Sequence, residues 1–245
     1  MTLRASYQYR LRDSRTSVLV FYIVMVALWA LTFITSALSL KNGIHANGME
    51  IASAIFLFVL GLNSHKESFN LLLQNGVSRK TQFVSFCMSI ATLAAVMALI
   101  DTLIGQLVIH FLPGSTTLFM QTYALHYAGG ATLGAALDAF IWAFFLYGAF
   151  GMLGYVITSL YYRMSAAVKT LVSVGVPVLL FIVLPIADVN LTGGQIFAWI
   201  ARSIMFCLGI TNMNPYICVL FSLIAFAVLG GVAFLLNRRA VIKAR

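Results

Sequence analysis

The sequence predicts an all-α integral membrane protein of six transmembrane helices, with the N- and C-termini both cytoplasmic. Three observations carry this. Of the 245 residues, 62% are hydrophobic and 9% charged; a soluble domain of that size cannot cover so much apolar surface with so little charge. The apolar residues gather into runs at 17–40, 50–64, 81–112, 132–160, 168–187 and 213–237, most of them near the roughly 20 residues that a helix needs to cross a bilayer. The basic residues sort by gap. With the N-terminus inside, all of the 15 lysines and arginines except Lys41 and Arg202 fall on the cytoplasmic side, as the charge rule for topology requires. One span more or fewer puts a basic cluster on the wrong face. No loop is long enough for a soluble domain, so 1–245 is one membrane domain.

The formal net charge of +9 belongs to these topology clusters. They flank apolar runs, so the charge points to the bilayer and not to nucleic acid.

The first element is residues 1–16. Leu3, Tyr7 and Leu11 share one helical stripe, with Arg4, Arg12 and Arg15 away from it, the pattern of an amphipathic helix on an anionic inner leaflet. The apolar run from Ser17 exceeds the core of about 7–15 residues found in signal peptides, so it is a retained first span. Span 2 is short and ends in Gly61-Leu62-Asn63-Ser64.

A polar island at 64–80 follows. Ser64 and Glu67 have the spacing of a capping box, in which serine and glutamate satisfy free N–H groups at a helix start. Asn75-Gly76 is a stop, because glycine enters the left-handed conformation at little cost. Between them Phe69, Leu72 and Leu73 give the segment an apolar side, and beyond them Ser78 caps span 3 while Arg79-Lys80 anchor its inner end. The expectation is a short cytoplasmic helix, a sharp turn and the next span.

Span 3 is long and carries Asp101; span 4 carries Asp138 near its outer end. A carboxylate in the apolar layer is costly unless paired or hydrated, so both are candidates for lining a pathway. The bland reading is pairing with a nearby Thr, Gln or Tyr, with Thr102 and Gln106 as the neighbours of Asp101 in sequence. In span 4, Gly148, Gly151 and Gly154 recur every three residues, and Gly130 and Gly134 form a G-x-x-x-G. Small residues let helices approach closely, either within one subunit or at a dimer seam. Pro177 and Pro185 are expected to kink span 5. Residues 188–212 are semi-apolar and rich in turn residues, with a helix-like piece from Gln195 too short to span: a re-entrant or interfacial outer segment. Cys87, Cys207 and Cys218 form no C-x-x-C pair and read as small apolar packing residues.

The run Phe69-Asn70-Leu71-Leu72-Leu73-Gln74-Asn75-Gly76-Val77-Ser78-Arg79-Lys80-Thr81-Gln82-Phe83 resembles the segment between spans 2 and 3 in bacterial permease subunits of ABC transporters of the type-2 exporter class. The plan around it is also similar to that class: a basic amphipathic N-terminus, six spans, a broken outer segment before span 6, and a basic tail from Arg238 to Lys243. The resemblance implies that 64–80 is a coupling helix docking on a separate cytoplasmic ATPase dimer, with ATP and magnesium bound there and no cofactor on this chain. Glu67, Arg79 and Lys80 would make polar contacts to the motor, with Phe69, Leu72 and Gly76 shaping the helix. A second permease, identical or homologous, would complete the path for an amphipathic or hydrophobic cargo (peptide, drug or lipid) across the bacterial cytoplasmic membrane.

The chain itself has no G-x-x-x-x-G-K-[ST] phosphate loop. It has no H-E-x-x-H zinc motif and no G-x-S-x-G elbow. Its six acids leave little material for acid–base chemistry, so neither an enzyme nor a metal site is expected. The alternative is a secondary transporter or channel not driven by ATP, which would want polar groups or broken helices at mid-membrane.

Overall fold

The computed structural model describes residues 2–38, 48, 50–64, 71–111, 116–124 and 132–238. Among them every regular element is a helix. In chain order these are α1 (Leu3–Leu38), α2 (Glu50–Asn63), α3 (Arg79–Phe111), α4 (Leu118–Thr122), α5 (Leu133–Arg163), α6 (Ala166–Thr192), α7 (Gln195–Cys207) and α8 (Pro215–Arg238). Five of them, α1, α3, α5, α6 and α8, are long and apolar enough to cross a membrane. α2 has 14 residues and rises about 21 Å at the usual 1.5 Å per residue.

α1 departs from expectation. Residues 3–16 are helical, but they run on into the first span as one helix of 36 residues. No glycine or proline lies between residues 3 and 38 to stop it. The N-terminal turns are also not simply laid on a surface: Ser6 and Arg10 are buried.

The core forms where α2, α3 and α5 pack together, with α8 along α5 and α1 along α3. Leu57, Phe86, Ile90, Met97, Tyr147, Met152 and Tyr155 are at its centre. Glycines set the close approach of α2 and α5. A Cβ on Gly61 would sit 2.1 Å from the Gly151 carbonyl oxygen, and one on Gly154 would sit 2.1 Å from that of Phe58. Of the two uses left open for the glycines of this helix, Gly151 and Gly154 serve packing within the chain. A Cβ on Gly148 would meet the Phe226 ring at an ordinary 3.7 Å; Gly130 lies outside the described residues.

α6 contrasts with this core. Apart from Asp188, none of its residues is buried. The two prolines expected to kink this helix flank a π-helical turn at Leu179–Val183, Pro177 before it and Pro185 after it. Proline removes an N–H from the ladder, and a wider turn re-registers it. The helix runs to Thr192, past the expected end at 187. Gly193 (φ +65°) and Gly194 (φ +86°) then reverse the chain into α7. The Asp188 carboxylate accepts from the amides of Ile196 (3.0 Å) and Phe197 (2.9 Å) and from the Thr192 hydroxyl, so a side chain of α6 caps α7. Cys87, Cys207 and Cys218 are free thiols.

Candidate functional site

Two places in the bundle gather the residues singled out by sequence. The first is the turn before α3. Residues 71–74 are helical and end in a Schellman motif: the Val77 amide donates to the Leu72 carbonyl (3.0 Å) and the Gly76 amide to that of Leu73 (2.9 Å). Gly76 has φ +74°, which is why glycine stands there. Leu72 and Val77, the two residues whose side chains meet in such a motif, are both buried. Ser78 then caps α3, accepting from the Thr81 amide at 3.2 Å. A helix stop and a helix start thus lie three residues apart.

Arg79 donates to the Arg238 carbonyl at 2.8 Å, tying the start of α3 to the last turn of α8. Lys80 is exposed. Glu67 and Phe69 lie outside the described residues, as does the tail beyond Arg238. Ser64, expected to cap the island, donates its hydroxyl back to the Gly61 carbonyl (2.9 Å) and seals the end of α2.

Sequence reasoning missed Arg10, counting it only as a topology charge. It is 4% exposed. Its Nε donates to Ser85 Oγ (3.3 Å), its Nη1 donates to the Ser64 carbonyl (3.3 Å), and its guanidinium lies over the Phe86 ring at 5.6 Å. Phe86 stacks on Tyr155 at 3.9 Å, and Tyr155 accepts from Asn237 Nδ2 at 2.7 Å. One arginine thus joins α1, the exit of α2, α3, α5 and α8 just behind the turn. No short-range pattern marks it, since its partners are 54 and 75 residues away.

The second place is in the apolar body. Asp101 accepts from the Tyr22 hydroxyl at 2.9 Å and from the Tyr147 hydroxyl at 2.6 Å. The neighbours expected to pair with it, Thr102 and Gln106, make no hydrogen bond to it, although they line a cavity together with it. Glu50, at the start of α2, joins this site unforeseen. Both its oxygens accept from the Leu118 amide at 3.1 Å, a free donor at the first turn of α4. Glu50 and Asp101 line two small cavities in common, of about 20 and 10 Å³. Such a space takes a single water-sized group.

Asp138 is separate from this pair. It accepts from the Tyr216 hydroxyl of α8 at 2.7 Å. Near the same end, the Tyr123 hydroxyl donates to the Leu208 carbonyl and accepts from Trp142 Nε1 at 3.2 Å. Burial pushes the Tyr123 phenol above its ordinary pKa, so it stays a neutral donor.

Among the described residues there is no group of three or more His, Cys, Asp or Glu side chains able to hold a metal ion. No family model, curated protein or solved structure matches the chain.

Proposed function

We propose that the chain is the membrane-spanning subunit of an ATP-driven exporter, coupled to a separate cytoplasmic ATPase through the turn before α3. In this reading α2 is the sixth span and both termini are cytoplasmic. The protein resides in the bacterial cytoplasmic membrane and works with a second permease copy or homologue. ATP and magnesium bind the partner ATPase. The cargo is amphipathic or hydrophobic.

The observation that carries the reading is the double-capped reversal at 71–78. The Schellman stop and the serine cap three residues later satisfy backbone groups on both sides of the turn, and Leu72 and Val77 are buried beneath it. A segment that must receive a push and pass it on needs to be stiff. The Arg10 node supplies a route: it holds the exit of α2 through Ser64 and bonds to α3 through Ser85. Force on the turn would move α1, α3 and α5 together. Arg79 has an intramolecular task at the end of α8, so its effect on coupling would act through that tie as well as through direct contact.

The test is a mild-detergent pull-down of the tagged chain, with mass spectrometry of co-purifying proteins and an ATPase assay. A stoichiometric ATPase is expected. Glu67→Ala and Arg79→Ala should leave insertion intact and uncouple hydrolysis from transport. Absence of any ATPase, under conditions that preserve membrane complexes, would refute the reading in favour of a secondary transporter or channel.

A further inference from the structure

We propose that Glu50 and Asp101 form the head-group half of a binding site for a cationic amphiphile, whose apolar part occupies the groove between α1 and α3. The inference rests on the export reading in calling this ligand a cargo, but on geometry alone in calling it a ligand.

The first observation is a charge imbalance. Two partly buried carboxylates share the wall of one small cavity. Their partners are the hydroxyls of Tyr22 and Tyr147, the Ser53 side chain beside Asp101, and backbone amides at the first turn of α4. Among the described residues, no cationic side chain acts on either of them. A carboxylate offers about four acceptor sites, so each keeps room for another donor. Ionisable groups at membrane depth pair or line a pathway, and a cation is the missing member.

The second observation is the rest of the wall. An ammonium bringing three N–H donors would find takers in Glu50 and Asp101, and Tyr22 and Trp29 line the same cavity, aromatic rings of the kind that suit a cation.

The third observation is what adjoins the cavity. An apolar groove of about 580 Å³ runs between α1 and α3, lined among others by Val26, Phe33, Leu107 and Phe111. Trp29, Ile104 and Val108 belong to both walls, so the polar cavity lies directly beside the groove. The size falls within the range of small-molecule sites. A polar pocket with room for one small group, set beside an apolar trough, selects a molecule with a compact cationic head and an apolar tail. An alkyl primary amine or the amino end of a hydrophobic peptide has that form.

The experiment uses the full chain in lipid nanodiscs and a probe, monodansylated 1,8-diaminooctane, read by fluorescence. Its N-acetylated form keeps the tail and loses the charge. Wild type should bind the amine at least about tenfold more tightly than the acetylated probe, the discrimination expected of charge-assisted hydrogen bonds. Asp101→Asn and Glu50→Gln should each remove most of that difference while leaving the acetylated probe bound as before, which also shows that the variant is folded. Leu107→Trp, which fills the groove, should weaken both probes alike. Equal binding of the two probes by wild type, or full discrimination in both carboxylate variants, overturns the head-group site. No effect of Leu107→Trp overturns the groove. The assay contains no ATPase, so it stands if none co-purifies. Equally, a co-purifying ATPase with no discrimination between the probes leaves the export reading in place and removes this one.

Discussion

α5 and α6 are neighbours in the chain, both long and apolar, yet one is the centre of the molecule and the other stands outside it. α5 buries Trp142, Tyr147, Met152 and Tyr155 and approaches α2 through Gly151 and Gly154. α6 buries only Asp188, and that to cap α7. Apolarity is what makes both helices fit a bilayer. It does not make them fit each other, because lipid solvates a leucine as well as another leucine does. Packing between helices needs something lipid cannot offer: a glycine that lets backbones touch, or a polar group that needs a partner. α5 has both in quantity. α6 has Ser173 bonded to Tyr161 of α5 at 3.2 Å near its start and the Asp188 cap near its end, with exposed Leu171, Val174 and Phe181 among the residues of its length.

The glycine seam gives the largest expected difference. Gly61→Ala or Gly154→Ala must push α2 off α5, since the new methyl would meet a backbone carbonyl and not a flexible side chain. A loss of about 3 kcal/mol is expected, at the upper end of overpacking costs, measured by denaturant unfolding in micelles. Gly175→Ala on α6 has open space around it and should be neutral or stabilising by up to about 1 kcal/mol through helix propensity. Equal effects at the two sites would erase the distinction between the helices.

A smaller effect separates them by polar bonding. Tyr147→Phe leaves Asp101 without its 2.6 Å donor and should cost about 1–3 kcal/mol. Leu171→Ala, at a position 73% exposed on α6, should change stability by less than about 0.5 kcal/mol. The same unfolding assay reads both, and a larger loss from Leu171→Ala would mean that α6 is packed after all.

The smallest effect is local. Asp188→Ala removes the cap on α7 and should speed hydrogen exchange at the Ile196 and Phe197 amides while leaving the unfolding midpoint unchanged. Exchange as slow as in wild type would show that the Gly193-Gly194 turn holds α7 without the carboxylate.

What was legible in the sequence follows the same division. The stop at Asn75-Gly76 and the cap at Ser78 could be read because each is complete within a few residues. So could the helix from Gln195, which follows a glycine pair. The break expected near residue 16 is missing because an amphipathic stripe says how a helix would lie, whereas only a breaker ends it, and none is present. Asp101 is legible as a costly carboxylate and tyrosine as one residue type able to pair with it, but sequence proximity points to Thr102 and Gln106. Tyr22 and Tyr147 are 79 and 46 residues away, and Glu50 drew no notice because it opens a helix where an acid is ordinary.

By itself, then, the sequence determined the helical class, most helix boundaries to within a few residues and the capped turn before α3, all properties written in local periodicity and local hydrogen bonding. The tertiary structure alone decided that α2, a short helix, is gripped in the core while α6 is not, that Arg10 is a buried node, and that Glu50 and Asp101 share a cavity. Those facts depend on which glycine meets which carbonyl and which hydroxyl reaches which carboxylate, and such meetings are made by folding distant segments together.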